Sequence, residues 1–156
     1  MVGTAALIER SGPYEDIDVY RRQFLIFGPE AWENFVPDVI DPEQWVRAGY
    51  DYLHILTGAQ DQPTRVVLEG WTSEPPAESS DWSGVRLTQV FLSEPRVSLW
   101  SITGGPQSDP IEIGREPGDY TVRLFCRGRP ADHPAHDNAK LRPGEEEWLI
   151  QFWPAE

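Results

Sequence analysis

Apolar and polar residues alternate with period two along most of this chain, the pattern of strands with one buried face, because successive side chains of a strand point to opposite sides. In residues 17–27, Ile17, Val19, Leu25 and Phe27 share one parity, and Tyr20, Phe24 and Ile26 share the other. Both faces are partly apolar, so a central strand is expected there. Residues 50–57 set Tyr50, Tyr52, His54 and Leu56 opposite Asp51, Leu53, Ile55 and Thr57. Residues 65–71 and 85–92 read as two more strands, and residues 96–102 follow after the short connection Ser93-Glu94-Pro95. The β-branched and aromatic segments 120–127 and 147–153 are the clearest strands of all.

Helix is scarce. Asp41-Pro42-Glu43 offers an N-cap residue, a proline at the first helical position and an acid in the first turn, so a short helix is expected over 42–48, ended by Gly49. Residues 30–35 can make one further turn before Pro37 stops it. The 13 glycines and 15 prolines fit many short strands joined by turns. The expectation is one all-β domain over residues 1–156: an antiparallel β-sandwich or flattened barrel of about 7–9 strands with one or two short helices.

Charge narrows the function classes. With 13 Lys and Arg against 26 Asp and Glu, the net charge is −13, which argues against coating nucleic acid or docking to anionic lipid. A partner with a basic surface is the natural complement. No apolar run approaches the ~20 residues that cross a bilayer. The first residues lack a cationic leader, and the lone Cys126 suits a reducing compartment, so a cytoplasmic location is expected.

Enzyme chemistry finds no support in the motifs. There is no phosphate-cradling glycine loop, no G-x-S-x-G elbow and no H-E-x-x-H helix, and no cofactor is expected. Cys126 lies inside a strand and reads as structural. His54, among aromatics, reads as a hydrogen-bonded, half-buried histidine. Asp132-His133-Pro134-Ala135-His136-Asp137 gathers metal-ligating types, but Pro134 interrupts the spacing, and a solvated loop is the preferred reading. The run 145–147 of three glutamates reads as a solubilising, edge-protecting feature.

The acids are unevenly distributed. Residues 1–83 hold 15 acids and 5 bases, whereas residues 84–156 hold 11 and 8. Between Arg22 and Arg47 there is no base, and Glu30, Glu33, Asp38, Asp41 and Glu43 are interleaved with Trp32, Phe35 and Trp45. A second base-free interval, from Arg65 to Arg86, holds Glu69, Glu74, Glu78, Asp81 and Trp82. Acids mixed with aromatics fit a surface that captures a basic protein, where charge steers and aromatics anchor. The candidate partner-binding residues are therefore Glu30, Trp32, Glu33, Asp38, Asp41, Glu43 and Trp45, with Glu74, Glu78, Asp81 and Trp82. A solvated acidic coat with tryptophans roofing the core is the competing account.

Four stretches carry a family resemblance: Leu87–Gly105, Pro110–Gly114, Pro117–Arg129 and Glu147–Pro154. With them go Arg22-Gln23-Phe24, Trp45, Gly49-Tyr50 and Thr57-Gly58. Together they resemble the ComJ-like family of bacterial proteins. The resemblance implies a small β-rich inhibitor or immunity-type protein that blocks a nuclease or toxin and has no catalysis of its own. The segment 30–43 lies outside it, so its role rests on its own residues. Two other classes compete: a β-sandwich whose tryptophans bind a small ligand or carbohydrate, and an accessory domain that packs against sister subunits.

Overall fold

The computed structural model describes residues 4–17, 22–58, 64–77, 82–103, 105–128 and 146–155. Two sheets face each other, and among the described residues they do not close into a barrel. The first sheet runs β1 (Leu7–Ile17), β5 (Thr64–Trp71), β11 (Glu147–Pro154), β10 (Gly118–Arg127) and β6 (Gly84–Leu92). The second runs β3 (Val46–Gly49), β4 (Tyr52–Leu56), β2 (Gln23–Phe27), β7 (Arg96–Ser101) and β8 (Gly105–Pro106), with β9 (Ile111–Glu112) also paired to β7. The pairings are antiparallel except β5 with β11, which is parallel. A single helical turn, α1 (Ala31–Asn34), follows β2.

The alternation builds the core. Val122, Leu124 and Cys126 of β10 and Trp148, Ile150 and Phe152 of β11 point inward, opposite Phe24 and Ile26 of β2, Leu53 and Ile55 of β4, and Val97 and Leu99 of β7. Each large side chain buried in this way is worth about 1.5–3 kcal/mol. Trp148 occupies the centre, edge-on to Phe24 at 5.9 Å and to Trp45 at 5.7 Å. Cys126 is fully buried within β10. As its two-sided apolar pattern requires, β2 is a central strand, between β4 and β7.

Three expectations are corrected. Residues 42–48 are not a helix. Asp41 caps a single turn, accepting the Glu43 N–H on its side chain at 2.9 Å, after which Trp45 takes φ 66° and Val46–Gly49 pairs with β4. The pull of the core on the Trp45 indole outweighs local capping. Glu146 and Glu147 protect no edge, because β11 lies inside its sheet. Glu146 is buried, accepting the Gly58 N–H at 2.9 Å and the Trp148 indole N–H at 2.8 Å, while Glu147 pairs with Arg127 at 2.9 Å. Finally, residues 17–27 are not one strand: Ile17 ends β1, a bulged edge strand of the first sheet that its charges and Gly12-Pro13 hide in the sequence, and β2 begins at Gln23 in the second sheet.

Asp51 fastens the corner where the sheets meet. It is fully buried in the tight β3–β4 turn with φ 66°. Its carboxylate accepts the N–H of Glu30 at 2.7 Å, the N–H of Ser93 at 2.7 Å and the Ser93 hydroxyl at 2.5 Å. Its backbone N–H donates to the Phe91 carbonyl at 2.9 Å, and its carbonyl accepts the Gly28 N–H at 2.8 Å. Gly28 is required there because a Cβ would stand 2.5 Å from an Asp51 carboxylate oxygen. Replacing Asp51 by alanine strands three donors and strains a left-handed backbone, and should cost about 3 kcal/mol or more. Asp51→Asn, which tolerates that backbone and keeps one acceptor oxygen, should lose distinctly less. Urea denaturation of the two variants measures the difference.

Candidate functional site

Residues 28–45 form a strap across the outer face of the second sheet. Several outward positions of that sheet are apolar, Leu25 and Phe27 on β2, Tyr52 on β4 and Trp100 on β7, so this part of the face needs a cover. Ala31 and Phe35, four residues apart on α1 and its end, supply it. Phe35 meets Phe27 at 5.5 Å, Tyr52 at 5.2 Å and the His54 ring at 5.1 Å. Trp32, beside them, remains 74% exposed and leans on Trp100 at 5.8 Å.

Two arginines clamp the strap by its backbone. Arg47 of β3 donates to the Val36 carbonyl, and Arg86 of β6 donates to the Glu43 carbonyl at 2.5 Å. Neither guanidinium is bound to a strap carboxylate. Glu33, Asp38, Asp41 and Glu43 are all exposed, and none forms an ion pair among the described residues. Val36 and Val39, on either side of Asp38, are 65% and 84% exposed. Glu30 turns toward the neighbouring corner and accepts the Tyr50 hydroxyl at 2.8 Å, which raises the Tyr50 pKa above its ordinary value. Trp45 is the exception among the strap candidates. It is 8% exposed, with its ring between Trp148 and the Arg86 guanidinium 3.8 Å away, and it offers no surface to a partner.

The second group of candidates lies elsewhere. Glu74 stands over the outer face of the first sheet, 3.9 Å from Arg123. Arg123 also bonds Gln151 at 3.0 Å and the Pro75 and Pro76 carbonyls at 3.1 Å. Trp82 is half-buried on the same face, tilted on Phe125 at 5.7 Å with the Arg127 guanidinium 4.5 Å from its ring. Glu69 is buried and bonded to Arg10, Trp71 and Gln151. This face neutralises its carboxylates with its own guanidiniums, and it lies on the opposite side of the sandwich from the strap. Glu78, Asp81 and the 132–137 segment lie outside the described residues. Among the described residues, no three His, Cys, Asp or Glu side chains converge as metal ligands, and no helix is long and apolar enough to cross a membrane.

Sequence reasoning missed Trp100, Phe27 and Leu25 as parts of this face. The signal was available: Trp100 has the opposite parity to the core residues Val97 and Leu99, as Leu25 and Phe27 have to Phe24 and Ile26.

No protein-family model matches the sequence, and no curated protein matches it significantly. Among solved structures, the fold is similar to that of ComJ from Bacillus subtilis, described as an inhibitor of the DNA degrading activity of NucA. The TM-score is 0.59 at 13% identity, over 98% of this chain and all of that one. A crocagin biosynthetic protein J matches at a TM-score of 0.46 and 13% identity, over the full length of both chains. At this identity the ComJ likeness establishes a shared fold, the one implied by the family resemblance.

His54 lies beneath the strap, against Phe35. Its Nδ1 accepts from Arg47 at 3.1 Å, and its Nε2 donates to the Gln23 side-chain oxygen at 2.5 Å, an arrangement that requires the neutral ring. Burial, then the Arg47 charge, lower its pKa to about 4, against a smaller opposing pull from Asp38. The unfolded chain, with His54 near its ordinary 6.5, therefore binds the proton first as pH falls. Stability from this group should be complete above pH 6.5 and decline toward pH 4, by about 3 kcal/mol at most. NMR titration should find the His54 ring neutral at pH 5.5, and His54→Gln should flatten the stability loss between pH 6.5 and 5.

Proposed function

We propose that this chain is a protein-binding inhibitor that captures a basic partner through the strap, and that the partner is a DNA-degrading nuclease or nuclease-like toxin. The observation that carries this reading is the way the strap is held. Arg47 and Arg86 bond its carbonyls, and Glu33, Asp38, Asp41 and Glu43 are left exposed to solvent. Were these acids only a hydration coat, the nearest cations would be expected to pair with them, as Arg10, Arg123 and Arg127 pair with Glu69, Glu74 and Glu147 on the far face.

A nuclease site is basic because it holds phosphates, so a row of carboxylates can occupy it as a phosphate mimic. Uncompensated charge on one face speeds and orients such an encounter, and the exposed Val36, Val39 and Trp32 supply apolar area to bury in it. The ComJ fold supports the same reading, since the protein described with that fold inhibits a nuclease. Inhibition of this kind requires no catalysis and no cofactor from the chain itself.

The test is direct. The protein added to an extract of its native cells should lower DNA degradation, and immobilised protein should retain a nuclease at low salt and release it at high salt. Reversing the four strap carboxylates to lysine should weaken inhibition roughly a hundredfold, about 3 kcal/mol. Their exposure predicts an unchanged thermal midpoint to within a few degrees, read by circular dichroism. Unaltered DNA degradation, or equal inhibition by the reversed variant, would refute the reading.

A further inference from the structure

Between the strap and the outer face of β2 and β7 runs a groove of about 660 Å³, lined chiefly by Leu25, Phe27, Trp32, Phe35, Pro37 and Trp100. Its aromatic rings are continuous, with Trp32 on Trp100 at 5.8 Å, Trp100 on Phe27 at 5.2 Å and Phe27 on Phe35 at 5.5 Å. Polar groups lining it come from Gln23, Ser101 and Thr103, and no lining residue among those described is charged. The strap wall that carries Trp32 and Pro37 also carries the exposed acids Glu33 and Asp38.

This combination selects an occupant. Aromatic faces are the negative side of the ring quadrupole and attract cations, indole most strongly. The molecule already uses this aromatic row in that way at its far end, where the Arg47 guanidinium lies 5.9 Å from the Phe35 ring and 5.4 Å from that of Tyr52. At the other end the indole of Trp32 is open to solvent. A guanidinium, planar and weakly hydrated, can stack on an indole while its edges meet carboxylates, whereas an ammonium loses more hydration for less contact. We propose that the Trp32–Trp100 groove is the seat of an arginine side chain from the partner, with Glu33 and Asp38 as its counter-charges. That the arginine belongs to a nuclease rests on the inhibitor reading; the chemistry of the groove does not.

The probe is acetyl-Gly-Arg-Gly-amide, titrated at low salt into protein carrying nitrogen-15 in its tryptophan indoles, with lysine and norleucine peptides and cellobiose as comparisons. Of the seven indole N–H signals, those of Trp32 and Trp100 should shift saturably with the arginine peptide. The lysine peptide should bind several-fold more weakly and the norleucine peptide not measurably. Trp32→Ala, at an exposed position that the fold does not need, should abolish the Trp100 shift. Glu33→Gln with Asp38→Asn should weaken binding a few-fold. Equal response to norleucine, a stronger response to cellobiose, or shifts spread over all the indoles would overturn the assignment. If the arginine peptide fails while carboxylate reversal still abolishes nuclease inhibition, the groove assignment falls and the inhibitor reading stands. If the peptide binds and no nuclease is inhibited, the reverse holds.

Discussion

A buried carboxylate tolerates its surroundings only when donors surround it, and at Asp51 those donors come from two separate loops. The β3–β4 turn, the start of the strap and the β6–β7 turn are thereby held at one point. The strap leaves this point at Gly28, crosses the second sheet, and reaches the edge of the first at Trp45. Arg47 and Arg86 secure its later course by the main chain. Because the backbone is fixed at several places, the strap's side chains present a defined surface.

The two outer faces of the sandwich solve the same electrostatic problem differently. On the first sheet, arginines and glutamates satisfy one another across neighbouring strands, through Arg10, Glu69, Gln151 and Arg123. On the second, a covering segment supplies aromatic rings inward and carboxylates outward, and among the described residues Glu33, Asp38, Asp41 and Glu43 form no ion pair. The asymmetry in the sequence, with the acid excess concentrated before residue 84, becomes an asymmetry in space only in part, because Glu69 and Glu74 are drawn to the paired face. In the proposed binding, the exposed carboxylates of the strap supply charge that a basic surface would meet.

Much of the fold was legible because strand periodicity is local: the parity of Val122, Leu124 and Cys126 needs no knowledge of what lies opposite. Failures arose where a distant contact overruled a local preference. Asp41-Pro42-Glu43 has the chemistry of a helix start, and only the pocket beside Trp148 explains why Trp45 turns inward instead. The glutamates before β11 looked like surface because nothing in their neighbourhood announces the Gly58 amide that Glu146 receives. For the candidate site, the acids and Trp32 could be read from their loop, but their separation from Glu74 could not, since it depends on which sheet each loop covers. Trp100 lay in a segment read only as a strand, although its parity, opposite to that of Val97 and Leu99, points outward.

The parallel pairing of β11 with β5 sets a condition on how the molecule is assembled. β11 lies between β5 and β10, and its register with β5 joins segments about eighty positions apart, Trp148 opposite Val66 and Phe152 opposite Gly70. A nascent chain emerging from the ribosome can form the hairpin-like pairs of the second sheet early, but the first sheet remains two halves with exposed edges until residue 154 has been synthesised. Contacts so remote in sequence close slowly, so the first sheet is completed late relative to the hairpins of the second. During that interval the facing edges of β5 and β10 have no strand between them, which makes this gap the stage at which aggregation or chaperone capture competes with folding.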